Sequence, residues 1–282
     1  MASRRSRSRK IEYLERPGAA LSEHEQRRLV VELRECAATC FEDLPDYQCL
    51  QDGPDGLGDK VIALFRGDDG SVAGFASALL LDVDGHREVL HLGLTCVRPE
   101  YRGGGSTHAL LSKIITGYLI RHRLFGRLWI SNVACVVSSL GNVAACFSAV
   151  HPSPGRTAPP SPQHLAIAAA IEGRYREAIY IRPEARFDAD AFVFRGSVRG
   201  TMFQKDADDT RYHHRDPELN RFYLERMRFD DGDEVLQVGH ASLLALVGYV
   251  IRQSLFAKRR RATKPAPAQV MGTVREDLRK AA

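Results

Sequence analysis

A run of three glycines separates a segment that is typical of a strand from a segment that is typical of a helix. The stretch is VRPEYRGGGSTHALL, residues 97–111. Glycine adopts backbone dihedral angles that other residues avoid, and it lets a ligand come close to the backbone. A helix N-terminus presents unpaired N–H groups and a partial positive charge. Together these features predict a binding site for a phosphate group.

Two familiar phosphate-binding loops do not fit these glycines. A P-loop needs a lysine directly after its last glycine, and none stands there. A dinucleotide fingerprint needs a third glycine inside a parallel βαβ unit. Gly103 and Gly105 supply the first two, but His108 takes the third position, and the preceding strands are typical of antiparallel hairpins. A tight turn without a ligand is the remaining alternative, and it leaves the strand–loop–helix context unexplained.

The segments around the glycines position them. Ser22 and Glu25 fit a capping box at the start of the first predicted helix. Alternating apolar residues and Gly/Asp turns then predict an antiparallel meander that leads into the glycines. The order predicted for residues 22–150 is a helix (22–41), three strands (KVIALF, VAGFASALLLD and EVLHLGLTCV), the glycine loop, a helix (105–123), a strand (126–133) and a short helix (138–150).

The remainder of the chain follows a proline-rich stretch, residues 151–162, in which five prolines predict a linker or surface loop. Asp216 and Pro217 are well placed to cap and open a later helix. The elements predicted there are a helix (163–180), a strand near 192–200, a helix from Pro217, a strand (234–240) and an apolar last helix (241–261).

The pattern V-x-P-E-Y-R-G-G-G before an amphipathic helix resembles motif A of the GNAT superfamily of acetyl-CoA-dependent N-acyltransferases. Arg102, Gly105 and Thr107 take the three positions of that motif, [QR]-x-x-G-x-[GA], and Thr107 departs from the expected Gly or Ala. The resemblance covers roughly residues 20–150. It implies an α/β (α+β) fold with a mixed, mainly antiparallel central sheet flanked by helices, here with a C-terminal extension of helices and strands.

The same resemblance implies acetyl-CoA or another acyl-CoA as co-substrate, with no metal. Amides of the glycine loop would bind the diphosphate, the strand end would pair with the pantetheine arm, and the thioester would enter between that strand and the next. The residues expected to hold the cofactor are Val97, Arg102, Gly103, Gly104, Gly105, Ser106, Thr107 and His108.

The catalytic groups are less clearly marked. Family members often carry a glutamate on the strand before the loop, and six residues before Val97 stands His91, which could accept the amine proton. A core histidine bonded to a carbonyl is the alternative, and we favour it slightly. The family's usual tyrosine, the acid for the leaving thiolate, would fall at Ala149, so Tyr180 and Tyr223 are candidate substitutes.

Further polar residues near the expected cleft are Asn132 and Ser139, which could hold the substrate, although cap or turn roles are at least as reasonable. Cys146 beside His151 suggests a nucleophile, but no orienting partner is identifiable. Cys36 and Cys40 stand four residues apart and could share a metal with a distant histidine. We give neither cysteine hypothesis much weight.

Composition is that of a soluble globular protein, with 282 residues, 44% of them hydrophobic and 27% charged. The six cysteines form no CxxC pair, and several lie in apolar runs, so we interpret them as buried free thiols in a reducing compartment. Neither an apolar leader nor a run of about 20 uncharged apolar residues is present. We therefore expect a cytoplasmic protein.

Both ends of the chain are basic. Residues 1–10 and 258–264 each carry five basic residues, so the body is mildly acidic although the net charge is +5. We interpret the ends as solvated tails that could make weak contacts with anionic membrane or nucleic acid. The expected organisation is a tail (1–18), a GNAT-like core (19–150), the proline-rich loop (151–162), a part that completes the sheet and the acceptor side (163–257) and a second tail (258–282).

Three functional hypotheses follow. The first is an enzyme that moves an acetyl or longer acyl group from a CoA thioester to an amine on a small molecule or peptide. The second is a non-catalytic GNAT-fold module that binds an acyl-CoA or a partner, which the missing tyrosine favours. The third is a membrane-associated long-chain N-acyltransferase, similar to the acyl-homoserine lactone synthases, whose last helix would lie on the bilayer.

Overall fold

The computed structural model describes residues 10–51, 54–102, 104–156 and 158–245. Its central feature is one mixed sheet in which nine strands are described, eight of them in the order β1-β2-β3-β4-β5-β9-β8-β7, with β6 paired to β9. The strands are β1 (Glu12–Glu15), β2 (Lys60–Arg66), β3 (Val72–Leu81), β4 (Val89–Val97), β5 (Leu128–Ala134), β6 (Ser148–His151), β7 (Arg186–Asp188), β8 (Val193–Arg195) and β9 (Glu234–Ala241).

Helices cover the sheet. The helices are α1 (Pro17–Ala20), α2 (Glu23–Ala37), α3 (Ser106–His122), α4 (Val137–Cys146), α5 (Pro162–Ala170) and α6 (Pro217–Leu224). α2 and α3 both pack on β3, and Ile62, Leu64 and Phe75 share a buried cluster with α2. Leu14 of β1 packs with the α2 cluster, whereas its neighbour Tyr13 lies against Gly117 of α3, so α3 covers the opposite face of the sheet.

Local chemistry explains where two helices begin. The Ser22 side chain accepts from the Glu25 amide, and the Glu25 carboxylate accepts from the Ser22 amide at 2.8 Å, so the predicted capping box is present. The Asp216 side chain accepts from the Glu218 amide, with Pro217 at the first helical position. Both predicted helix starts are therefore confirmed.

Two predictions about regular structure need correction. The helix expected over 163–180 keeps α-helical bonding only to Ala170, continues as a π-helical turn (Ile171–Tyr175) and then a 3-10 turn (Glu177–Ile179). The short helix expected over 138–150 ends at Cys146, and its last residues form β6, which pairs with β9.

The expected N-terminal tail, residues 1–18, is also wrong in its second half. Glu12–Glu15 forms β1, an edge strand antiparallel to β2. Arg66 on β2 holds it with an ion pair to Glu12 at 3.3 Å and reaches Glu32 of α2 at 2.8 Å. The Tyr13 ring packs against Gly117 of α3. This strand follows a run of basic residues, and that composition hid it.

The sheet crosses from the first half of the chain to the second. β5 pairs with β4 in parallel and with β9 antiparallel, and β9 carries β8 at its other edge. The mixed, mainly antiparallel sheet flanked by helices agrees with the predicted fold class.

Some predictions lie outside the described residues: the tail at 258–282, most of the last helix (241–261), and Gly103. Within the part of the chain that the structure describes, no helix is long and apolar enough to cross a membrane.

Candidate active site

The N-terminus of α3 carries the strongest prediction. Gly105 is its N-cap, with φ of 75°, a left-handed conformation that glycine adopts without strain. No side chain caps the helix, and its first turn holds no acidic residue. Gly104 and Thr107 are exposed, so amides here lie at the surface beside the positive end of the helix dipole. Such an end can bind an anion.

The loop that precedes α3 is held by its own contacts. A 3-10 turn, Pro99–Tyr101, leads into the loop, and the Ser106 hydroxyl donates to the Tyr101 carbonyl at 3.2 Å. This bond ties the first residue of α3 back to the 3-10 turn. We call residues 102–106, of which 103 lies outside the described residues, the glycine loop.

Arg102 is exposed, and its guanidinium bonds back to the protein. Its Nε donates to the Val97 carbonyl at 2.9 Å, and its Nη2 donates to the Cys40 sulfur at 3.4 Å. The Cys40 thiol also donates to the Val97 carbonyl, at 3.5 Å. The cofactor contacts expected of Val97 and Arg102 stay predictions, and in this structure the two residues brace the base of the glycine loop.

β4 and β5 diverge beside this loop. Their parallel ladder joins Leu90 to Ile130, His91 to Ser131 and Leu92 to Asn132, and no further pair between them is described. The strands therefore separate toward their carboxyl ends. This gap, which we call the β4–β5 divergence, lies where the GNAT resemblance implies that a thioester would enter.

His91 lies at the closed end of the divergence. It is 1% exposed, and its Nδ1 is 3.0 Å from the Ser131 hydroxyl oxygen. Burial lowers the pKa of His91 to about 3. A histidine in this setting stays neutral and is a weak base. Its position supports the core-histidine alternative, although the partner is a hydroxyl and not the carbonyl that we expected.

Gln48 covers the opening of the divergence. It has φ of 49°, and its Oε1 accepts from the Ser77 hydroxyl at 3.0 Å. A Cβ atom added to Gly93 would overlap the Gln48 amide. β4 also bulges opposite Ser77, because the ladder register with β3 shifts there. Gly93 therefore leaves open the space beside the strand that the Gln48 amide occupies.

Glu234 is the residue that the sequence analysis missed. It begins β9, next to the carboxyl end of β5, and is 8% exposed. The Ser197 hydroxyl donates to its Oε2 at 2.6 Å. Burial raises the pKa of Glu234 to about 7, while the Ser197 bond opposes that rise. A carboxylate in this state can exchange a proton near neutral pH.

Glu234 and His91 lie on the same face of the sheet. Leu236 and Val238, which alternate with Glu234 along β9, share a buried cluster with Val89, which alternates with His91 along β4. Two other ionisable side chains, Tyr47 and Cys135, lie near enough to Glu234 for its negative charge to raise their pKa values. Burial is the larger cause of both shifts.

Aromatic rings line the same region. Tyr47, Tyr180 and Phe203 pack edge to face, with centroids 5.2–5.9 Å apart. We call these three residues the aromatic wall. The Tyr47 hydroxyl accepts from Gln48 Nε2 at 2.6 Å, and the Phe203 carbonyl accepts from the Cys135 thiol at 3.1 Å. The wall therefore joins the loop over β4 to the end of β5.

Asn132 and Ser139 belong to a different environment. The Asn132 amide donates to Gln237 Oε1 at 3.1 Å, and Gln237 donates in turn to the Leu140 carbonyl and the Tyr223 hydroxyl. Ser139 lies in the first turn of α4, half-buried, with its amide bonded to Val136. Asn132 thus fastens β5 to β9, and the substrate roles of both residues stay predictions.

The candidate substitutes for the missing tyrosine are separated by the fold. Ala149, where the family's tyrosine was expected, lies in β6 beyond the end of α4. The Tyr223 hydroxyl is buried and donates to the Pro152 carbonyl at 3.0 Å. Tyr180 belongs to the aromatic wall, and of the two substitutes only it is placed with the groups around Glu234.

The weaker cysteine hypotheses gain no support. The His151 ring packs on Phe192, with centroids 4.6 Å apart, and burial lowers its pKa to about 4. All six cysteines are free. Among the described residues, no three His, Cys, Asp or Glu side chains are grouped so that they could hold a metal ion.

Two surface grooves lie away from these groups. One, of about 440 Å³, follows the outer side of α2 and is lined by residues such as His24 and Glu35. The other, of about 310 Å³, lies among the arginines Arg182, Arg199 and Arg228. Neither groove is lined by residues of the β4–β5 divergence, which is the place where the two strands stop pairing.

Comparison with known proteins gives similarities at the level of structure. No family model matches the chain, and no curated protein does either. An acetyltransferase of Trypanosoma brucei is 18% identical, with a TM-score of 0.35, over 53% of this chain and 100% of its own. ElaA of Escherichia coli is 21% identical, with a TM-score of 0.35, over 52% of this chain and 95% of its own.

A third similar structure is the aminoglycoside N-acetyltransferase AAC(6')-Iy in complex with CoA, which is 19% identical with a TM-score of 0.31. The match covers 43% of this chain and 76% of that one. These similarities concern the fold alone. The capped α2, the antiparallel meander, the glycine loop before α3 and the strand β5 after that helix follow one another in the order that the sequence analysis predicts.

Proposed function

We propose that the protein moves an acyl group, acetyl or longer, from a CoA thioester to an amine. The observation that carries this proposal is the exposed N-terminus of α3, opened by Gly105 without a side-chain cap, directly beside the β4–β5 divergence. The helix end suits the diphosphate of the cofactor. The amide-rich pantetheine arm would lie along β4 as a partner strand does.

The aromatic wall and Glu234 supply the acceptor side. Attack on the thioester requires a neutral amine, so a base must take the proton of the bound ammonium or of the attacking nitrogen. Glu234 is buried on the face of the sheet where the loop 41–50 covers the divergence. We propose Glu234 as this base in place of His91, because a carboxylate that titrates near neutrality accepts a proton far more readily than the buried imidazole.

The chemical steps then balance as follows. The amine nitrogen attacks the thioester carbonyl carbon, and its proton passes to the Glu234 carboxylate. The C–S bond breaks, and the CoA thiolate leaves and takes a proton. Tyr180, half-buried in the aromatic wall, is the protein group that we propose as the donor of that proton. A Tyr180→Phe substitution should lower turnover and leave cofactor affinity unchanged.

The experiment is a thiol-release assay. The full chain is incubated with acetyl-CoA and with longer acyl-CoA thioesters, against small-molecule amines and peptides with free amino groups. We expect CoA release that depends on the amine. Glu234→Gln should lower that rate about a hundredfold while acetyl-CoA still binds, and the absence of amine-dependent release with every pair would contradict the catalytic proposal.

A non-catalytic module is the second candidate. Ala149, a residue without a proton to donate, stands where the family's tyrosine is expected, and it lies in a strand and not in a helix. In this case the chain would bind acyl-CoA and release no thiol. Calorimetric binding of acetyl-CoA together with a silent amine panel would establish it.

A further inference from the structure

A reactive thiol lies against the glycine loop. Cys40 follows α2, is partly exposed, and contacts the arginine that precedes the glycines. We propose that Cys40 is a site of oxidation by peroxides, with Cys96 on β4 as the thiol that closes a disulfide with it. This modification concerns the thiols themselves and does not depend on the acyltransferase proposal.

The Arg102 guanidinium favours the thiolate of Cys40, because its Nη2 donates to the sulfur at 3.4 Å and carries a full charge. The Thr39 hydroxyl lies 3.7 Å from the sulfur, and either atom can be the donor. Cys96, which precedes Val97 on β4, belongs to the buried cluster against which Cys40 packs. The carbonyls of Val97, at 3.5 Å, and of Cys36, at 3.9 Å, instead favour the protonated thiol. The charged donor outweighs these contacts to neutral acceptors.

The pKa values agree with this arrangement. The bond from Cys96 is the largest cause that lowers the pKa of Cys40, to about 5, and Thr39 and Arg102 lower it further. The same bond raises the pKa of Cys96, which is 1% exposed. Cys36, one helical turn before Cys40, is fully buried, and burial raises its pKa to about 11. Cys40 is thus the nucleophile, and Cys96 is the protonated neighbour.

The reaction with hydrogen peroxide balances in two steps. The Cys40 thiolate attacks one peroxide oxygen, the O–O bond breaks, and a sulfenic acid and hydroxide form. The hydroxide takes the proton of the Cys96 thiol and becomes water. The Cys96 thiolate then attacks the Cys40 sulfur, the S–O bond breaks, and the hydroxide that leaves takes from solvent the proton that Cys40 lost on ionisation, which gives the second water. Both thiols are oxidised by one electron each, and the peroxide is reduced.

Oxidation would change the glycine loop. The disulfide removes the thiolate that holds Arg102 Nη2 and draws Cys40 toward Cys96, so the brace between α2, Val97 and Arg102 opens. A weaker grip on acyl-CoA after oxidation would follow, and this consequence alone rests on the proposed function.

The first test measures the reactivity of the thiol. The full chain is alkylated with iodoacetamide between pH 4 and 9, and modification of each cysteine is followed by peptide mass spectrometry. We expect Cys40 to react at half its maximal rate near pH 5. At pH 6 it should react about fivefold faster than an ordinary accessible cysteine, because its larger thiolate fraction exceeds the loss of intrinsic nucleophilicity. A midpoint above pH 8 for Cys40 would overturn the proposal.

The second test maps the product. After treatment with hydrogen peroxide and quenching, non-reducing peptide mapping should find a Cys40–Cys96 linkage that dithiothreitol removes. Cys40→Ser should abolish it, Cys96→Ser should leave a sulfenic acid on Cys40 that dimedone traps, and Cys146→Ser should form it normally. A linkage from Cys40 to Cys36, or no linkage in the parent chain, would contradict the assignment. Cys40→Ser changes a partly exposed residue, so it serves even if the variant at buried Cys96 fails to fold.

Discussion

At the scale of the residue, Glu234 sets the expected response to pH. Its carboxyl is buried with one donor, the Ser197 hydroxyl, and burial raises its pKa to about 7. Only the ionised form accepts a proton from an amine, so turnover should rise as pH increases through about 7. Ser197→Ala removes the bond that favours the ionised form and should move this limb of the pH–rate profile to higher pH.

The same residue makes a separate prediction about stability. A carboxyl whose pKa is raised by folding, from 4.5 to about 7, holds its proton more tightly in the folded state. The stability it contributes is complete below pH 4.5 and is lost as pH rises through about 7. The Glu234→Gln variant has no such ionisation, so it should be more stable than the parent chain by roughly 3 kcal/mol at pH 8 and by less at pH 4.5. Urea unfolding of both proteins at the two pH values measures this. An unchanged difference at the two pH values would contradict the buried, proton-exchanging state.

Sequence reasoning could not find Glu234 because its surroundings are misleading. It follows the run Asp230–Asp233, a pattern typical of an exposed turn, and no periodicity distinguishes it from its neighbours. Burial arises only when β9 pairs with β5 and Ser197 is brought to it from beyond β8. The position of His91 on its strand suggests a catalytic base, but the side chain is 1% exposed. That burial comes from elements packed on β4, and the sequence of the strand does not predict it.

At the scale of the element, the bulge in β4 allows the site to form. Gly93 lets the Gln48 amide lie against the strand where β4 leaves β5. Gly93→Ala should lower the free energy of unfolding by about 1–3 kcal/mol, because the added methyl group overlaps a buried amide. Chemical denaturation measures this, and Gly126→Ala, where the added atom meets only the Arg123 side chain at 3.7 Å, is the matched control.

A second substitution, at Gln48, tests the same contact. Gln48 has a left-handed φ of 49°, so Gln48→Gly removes both the overlap and the unfavourable backbone conformation. The double variant Gly93→Ala with Gln48→Gly should recover most of the lost stability. Additive destabilisation in the double variant would show that the two residues do not meet.

The elements themselves were largely predictable where local signals agree. Ser22 and Glu25 mark the start of α2, and apolar alternation with Gly/Asp turns marks the meander from β2 to β4. The turn from α-helix to π-helix after Ala170 gives no such signal, because the residues continue a helical pattern. The pairing of β6 with β9 depends on tertiary contacts between distant segments.

At the scale of the whole molecule, the sheet makes the two halves of the chain interdependent. β9 covers the edge of β5 along its length, and the buried amides Asn132 and Gln237 join them. A fragment of residues 10–156 would expose this edge and the apolar residues beneath it. We expect it to show no cooperative thermal transition by circular dichroism, whereas a cooperative melt would show that the first half folds without β9.

The central claim is that the N-terminus of α3 binds the diphosphate of CoA, and Thr107 gives its most direct test. This exposed residue lies in the first turn, where an acidic side chain stabilises a helix but repels a diphosphate. Isothermal titration with acetyl-CoA should give an affinity at least about tenfold weaker for Thr107→Glu than for the uncharged control Thr107→Gln, a loss of about 1.4 kcal/mol, with Tm equal or higher. Equal affinities for the two variants, or no binding of acetyl-CoA to the parent chain, would contradict the claim.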